Sequence, residues 1–211
     1  LHWAAMCPPL RPYEFKTLTT YGAVEGANLA DWPVSYDEIE PDYVRAQIKM
    51  GVTGRNNMPL SPGSNNYKIL ALAARRQGYV DYDTGNLAIN SVPADGRNAC
   101  DQIGFCMQGC KSGAKWSTFN SEIPRAEKTG HCEVRPQCMV IRLETNQEGK
   151  VNQVIYVDKH GKIERQRARI VCVAANAIES SRLLLNSESS LYPNGLANSS
   201  GLVGKNLMLH P

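Results

Sequence analysis

The chain has 211 residues, 42% of them hydrophobic and 20% charged, with a formal net charge of +3, 12 prolines and 7 cysteines. That length suits a globular chain able to bury a core, and so small a net charge, with basic residues interleaved among acids, argues against a nucleic-acid partner. No apolar run reaches the roughly 20 residues a helix needs to cross a bilayer.

In chain order, residues 1–35 read as loop, punctuated by Pro8, Pro9, Pro12 and Pro33. Ser35 with Glu38 three positions on is a capping box; Ile39, Tyr43, Ala46 and Met50 then recur at helical spacing as far as Gly51. A second helix is predicted over 65–76, with Ile69, Leu70, Leu72 and Ala73 as its apolar residues and Gly78 as its stop. Residues 93–115 form a loop rich in cysteine and glycine. Strands are predicted at 133–145 and 151–158, and the turn Lys159-His160-Gly161 leads to a further strand. Lys162, Arg165, Arg167 and Arg169 around Glu164 give that strand a solvated face, and His131 and His160 read as turn or surface residues. Residues 168–175 read as a buried strand with Cys172 as an inert core thiol, passing through Ala174 and Ala175 into a helix over 178–185. Strand, small-residue turn and helix is the order of an α/β nucleotide-binding half, in which small residues let the backbone approach a cofactor. A plain packing turn fits the same residues.

Cys100, Cys106 and Cys110 carry the chemistry. Their spacing is Cys-x5-Cys-x3-Cys, with Gly104, Gly109 and Gly113 interleaved, and it suits a loop that curls at positive φ and turns thiolates inward. Soft thiolates select zinc, copper(I) or iron-sulfur clusters. Compact zinc sites use a Cys-x2-Cys pair completed by a second pair, which is missing here, although His131 or Cys132 could supply a fourth ligand. Three local ligands suit a three-iron cluster that takes one thiolate per iron. One disulfide with a spare thiol, and inert buried thiols, are the alternatives.

The loop and its continuation Ala114-Lys115 and Ser117-Thr118 resemble the cluster segment of the glucose-methanol-choline (GMC) oxidoreductases that pair FAD with a three-iron cluster. Leu1-His2-Trp3-Ala4-Ala5, the stretch from Asp31 to Pro41, the stretch from Val173 to Leu185, and Gly201 to Pro211 resemble further segments of that group in the expected order. Singly these motifs are weak; together they span essentially the whole chain. Asn176 stands where most of the wider family has glycine, a change the cluster-bearing branch tolerates. Leu209 replaces a common aspartate beside His210.

The resemblance implies an α/β fold: a partial, Rossmann-like FAD-binding domain of GMC type with part of an α+β substrate domain and a cysteine-rich cluster loop. Residues 1–35 would be a loop-rich flavin-side segment, 36–95 the helical part of the substrate or cap region, 96–120 the cluster loop, and 121–211 the C-terminal half of the FAD-binding domain. It implies FAD contacts from His2, Trp3, Val140, Ala174, Ala175, Asn176 and His210, and a 3Fe-4S cluster on Cys100, Cys106 and Cys110. The family's catalytic histidine is expected beyond Pro211. No Gly-x-Gly-x-x-Gly opens a helix, so the chain reads as an internal fragment, inactive alone.

The implied reaction is oxidation of a CH-OH group in a sugar, polyol or sugar acid, with hydride passing to flavin. Electrons would leave through the cluster to a multihaem cytochrome c subunit, with a small subunit alongside, at the periplasmic face of the inner membrane. A link from Cys132 to Cys138 or Cys7 is open. So are two other functions: a GMC dehydrogenase without a cluster that uses a quinone or soluble acceptor, and a zinc-stabilised α/β binding module that is not an enzyme.

Overall fold

A computed structural model describes residues 4–207. The chain forms two compact units, Leu1–Cys132 and Glu133–Pro211.

In the first unit the cap residues place the helices. Ser35 Oγ accepts the Glu38 N–H at 3.3 Å while Glu38 Oε2 accepts the Ser35 N–H at 2.7 Å, which satisfies two donors that the helix itself cannot. The helix Tyr36–Met50 follows and ends at Gly51 in the left-handed conformation, φ 66° and ψ 51°. A short helix, Thr17–Tyr21, precedes it (these are α2 and α1), and α3 runs Asn65–Arg76 from a Ser64 cap. Residues 1–35 are therefore not all loop: a 3-10 turn, Pro12–Lys16, and α1 lie within them. Proline at the first helical position explains the turn, since its missing N–H costs nothing there. Phe15, 1% exposed, sets its ring 5.8 Å from that of Trp32 and 6.0 Å from Tyr36, tying this stretch to α2.

The centre of the unit is a short extended segment, 86–90. On one side Cys7 N–H donates to the Asn86 carbonyl and Ala88 N–H to Ala5; on the other Trp116 N–H donates to Ala88 and Asn90 N–H to Ala114, all at 2.8–3.1 Å. Ala5, Val52, Ala88, Ile89 and Ala114 form the buried core here. Small residues let three backbones pack closely, and hydrophobic periodicity does not reveal such a core. By contrast α3 forms as expected but exposes Ile69, Leu70 and Leu72 among the described residues. The unit includes α4, Glu122–Lys128, where Arg125 pairs with Asp95 at 2.8 Å and Glu122 with Lys49 at 3.7 Å.

The second unit is an antiparallel three-stranded sheet in sequence order, β1 Met139–Thr145, β2 Val151–Val157 and β3 Ile163–Arg167, with α5, Ala177–Leu185, against β1. Leu143, Ile155 and Leu196 are buried. Ser187 Oγ accepts the Leu143 N–H at 2.9 Å and donates to the Leu183 carbonyl at 2.6 Å, fastening helix to strand. Asp158 Oδ1 accepts the N–H groups of His160 and Lys162 at 2.8 and 2.9 Å, which closes the β2–β3 turn.

Mixed helix and sheet is the expected class, but two strand expectations change. β1 begins at Met139 instead of 133, since Pro136 and Gln137, at φ 57°, make a turn before it. Residues 168–175 are neither strand nor buried: Ile170 is 81% exposed and Cys172 is exposed. An apolar run favours extended backbone, but a strand also needs a hydrogen-bonding neighbour, and the ladder of β3 stops at Arg167.

Candidate functional site

The cysteine loop is pinned at its base. Cys100 N–H donates to the Asn90 carbonyl at 2.8 Å, and Asn98 Nδ2 to the Ser112 carbonyl at 3.0 Å. Between them Gly104, Gly109 and Gly113 take φ values of 82°, 98° and 73°, the curled backbone expected of them, and Cys106–Gln108 makes a 3-10 turn. Cys100, Cys106 and Cys110 are all half-buried and pack against the same small-residue core.

Two of the thiols accept backbone N–H groups, as ligand sulfurs do: Cys100 Sγ from Gln102 and Cys110 Sγ from Lys115, both at 3.4 Å. Burial works against a thiolate at Cys110, yet the Ser112 hydroxyl, at 3.4 Å, and the N–H groups of Lys115, Ala114 and Gly113 outweigh it and hold the thiol below its ordinary value. Cys100 and Cys106 line one cavity of about 380 Å³, and Cys110 lines another of about 510 Å³ with Lys115 and Asn120. Among the described residues no three His, Cys, Asp or Glu side chains stand together as a ligand set for one ion. The fold thus brings the three cysteines to one core, with donors aimed at two of them, and spreads them over two cavities. Thiols are soft donors, but as the fold places them these three do not form a ligand set for one ion.

Two buried cations stand behind the loop: Lys115, which the sequence offered only as part of the loop's continuation, and Arg97, which no motif singled out. Lys115, 3% exposed, donates from Nζ to the Cys106 carbonyl at 2.7 Å. Arg97, 6% exposed, donates to the carbonyls of Ala114 and Met50 at 2.8 and 2.9 Å, while its Nε and the Asn90 Oδ1 have no hydrogen-bond partner among the described residues. Burial pushes the Arg97 guanidinium down from its ordinary value against the pull of Asp95 and Glu122. The sequence signal for Lys115 was a lone lysine between apolar residues at the exit of the loop.

His2, Trp3 and His210 fall outside the described residues. Val140 pairs with Tyr156 across β1 and β2, beside a register shift before Arg142, and is 37% exposed. Ala174 and Ala175 are exposed on the unpaired stretch. Asn176 caps α5: its Oδ1 accepts the Glu179 N–H at 2.8 Å. The signal for that cap, Asn followed three residues on by Glu, was legible. All seven cysteines are free thiols, so neither Cys7 nor Cys138 is joined to Cys132. Burial, opposed by a hydrogen bond from the Ala88 backbone, raises the Cys7 thiol.

The family model for GMC oxidoreductases matches residues 25–211. Over its full length the chain is 33% identical to the fructose dehydrogenase large subunit of Gluconobacter japonicus and 32% identical to the 2-methyl-1,2-propanediol dehydrogenase of Mycolicibacterium austroafricanum, spanning 40% and 39% of them. It is 31% identical, over 84% of its length, to the 6'''-hydroxyparomomycin C oxidase of Streptomyces lividus, 35% of which it spans. The chain therefore covers well under half of each of these relatives. GMC oxidoreductases bind FAD, and with a match running from residue 25 to residue 211 the chain belongs to the GMC oxidoreductases.

Proposed function

We propose that the whole protein is an FAD-dependent dehydrogenase that oxidises a CH-OH group of a sugar, polyol or sugar acid and passes electrons through a 3Fe-4S cluster to a cytochrome c subunit. The observation that carries this reading is similarity over the entire chain to a fructose dehydrogenase large subunit, joined to a loop whose thiols pack on one core. Family membership sets aside the zinc-stabilised binding module.

FAD supplies the hydride acceptor, and a cluster would supply a one-electron exit. Cys100, Cys106 and Cys110 would hold the cluster, one thiolate per iron. The N–H groups of Gln102 and Lys115 stabilise the negative charge of the ligand sulfurs. Val140, Ala174, Ala175 and Asn176, with His2, Trp3 and His210, are the proposed FAD-side residues. The site of action is the periplasmic face of the inner membrane, with association through the cytochrome and a small subunit; no helix of the described residues is long and apolar enough to cross a membrane.

The test is iron and acid-labile sulfide analysis with electron paramagnetic resonance on the full-length protein purified without oxygen, beside Cys106→Ser. A three-iron signal in the oxidised protein, lost in the variant, supports the proposal. Flavin without iron supports a second reading, a cluster-free GMC dehydrogenase using a quinone or soluble acceptor, which the separation of Cys110 from the cavity of Cys100 and Cys106 favours.

A further inference from the structure

We infer that the cleft between α2 and the turn that follows it, residues 54–58, is a binding site for a free polyhydroxylated ligand, a six-carbon sugar or its polyol. Nothing in this site depends on what the cysteine loop holds.

The helix supplies one wall. Tyr36, Glu40, Tyr43 and Gln47 recur at helical spacing along one face of α2 and line a cleft of about 290 Å³, close to the lower bound for small-molecule sites. The Tyr36 and Tyr43 rings stack with centroids 6.3 Å apart and 30° between their planes, a surface suited to the C–H face of a sugar. A hairpin holds the opposite wall: Gly54 N–H donates to the Met58 carbonyl and Met58 N–H to the Arg55 carbonyl, both at 2.8 Å. Asn56 and Asn57 turn it at φ 47° and 66°, the left-handed backbone that asparagine tolerates.

Four polar side chains line this space with bonding capacity unused. Gln47 is 9% exposed, and Asn56 Nδ2 donates to its Oε1 at 3.0 Å, which leaves the Gln47 Nε2 with no hydrogen-bond partner among the described residues. Buried amides are normally satisfied, so a donor so nearly buried at the wall of a cleft calls for an acceptor from outside the chain. The Arg55 guanidinium makes no hydrogen bond or ion pair among the described residues, although Glu40 lines the same cleft. Tyr36 Oη donates to Glu40 Oε1 at 3.4 Å, and the second carboxylate oxygen stays open. Burial raises the Tyr36 hydroxyl above its ordinary value, Glu40 adds to this and Arg55 opposes it, so both charges reach the same ring. Donors on Arg55 and Gln47 thus stand with acceptors on Glu40 and Asn56. A hydroxyl both donates and accepts, so neighbouring hydroxyls of one neutral ligand satisfy both kinds at once. An anion would be repelled by Glu40 and a cation by Arg55.

The test is hydrogen exchange of the full-length protein, read by mass spectrometry over residues 36–47 and 53–58, without an electron acceptor. D-glucose, D-sorbitol and cyclohexanol are the probes, in wild type and in Arg55→Ala and Glu40→Gln, both substitutions at exposed positions. Protection that saturates with D-glucose or D-sorbitol is expected, with residues 65–76 unchanged as the control for a general solute effect. The probe that saturates at the lower concentration names the source. Either variant should need about tenfold more probe or beyond, the loss of one charged hydrogen bond. Cyclohexanol, a ring with a single hydroxyl, should give no protection, since a site built on hydrogen bonds rejects an analogue that lacks them. Absence of protection by both sugar and polyol overturns the inference, as does protection that cyclohexanol or both variants reproduce at wild-type concentrations. Stretches already protected before any probe is added, and unchanged by it, would mean that another part of the protein fills the cleft, which overturns it too.

Discussion

Gly51 and Asn90 meet so closely that a Cβ on Gly51 would stand 2.1 Å from Asn90 Oδ1, with Arg97 Nη2 at 3.0 Å. The left-handed turn that ends α2 and the segment at the centre of the first unit thus share one contact, and it leaves no room for a side chain. Gly51→Ala adds left-handed backbone strain of roughly 1–2 kcal/mol to displacement of a fully buried asparagine. Contact with Asn90 is the added cost: Gly51→Ala should lower the thermal midpoint of the full-length protein, and a Gly51→Asn variant, whose residue tolerates the left-handed backbone, should lower it too, because the clash with Asn90 Oδ1 remains. A wild-type midpoint in Gly51→Asn would refute the contact.

Ser187 is 1% exposed and joins β1 to the end of α5 through Leu143 and Leu183. Ser187→Ala leaves the Leu143 N–H buried without a partner, which costs about 1–3 kcal/mol. Hydrogen exchange should show lost protection at the Leu143 amide. Unchanged protection there would refute the assignment.

Asn176→Ala removes the side-chain cap of α5, at a cost of about 1 kcal/mol, while Asn176→Asp keeps an acceptor for the Glu179 N–H. A melting midpoint lowered in the alanine variant and retained in the aspartate variant is the expected pattern. Equal losses in both would mean that the residue acts through something other than its cap.

The Arg125 guanidinium, hydrogen-bonded to Asp95, holds that carboxyl below its ordinary 3.8. A depressed folded-state value means that the pair contributes fully above about 3.8 and loses its contribution as pH falls through the lower value. The pair is partly exposed and screened by water, so its contribution is small. Asp95→Asn should lower the melting midpoint slightly at neutral pH and flatten its fall below about pH 4.

What the sequence made legible was local chemistry. Ser35 with Glu38 announces a helix because a cap is complete within four residues, and glycines spaced among cysteines announce a curled loop. The core of Ala5, Ala88 and Ala114 was illegible, since its signal is small size at three distant places rather than a periodic apolar face. Residues 168–175 misled for the opposite reason: Ile170, Cys172 and Val173 look like a buried strand, but burial is decided by neighbours that local pattern does not contain. Lys115 hid in plain view, because a single lysine reads as surface until its contacts with Cys106 and Cys110 are known.

The segment 86–90 is bonded on one flank to residues 5–7 and on the other to 114–116, and this sets an order of assembly. Neither flank is local in sequence, and long-range closures are the slow steps of folding. During synthesis the chain must emerge through Trp116 before the segment can be bonded on both flanks. Until then the segment is closed on one flank only, and the core of Ala5, Ala88 and Ala114 is incomplete.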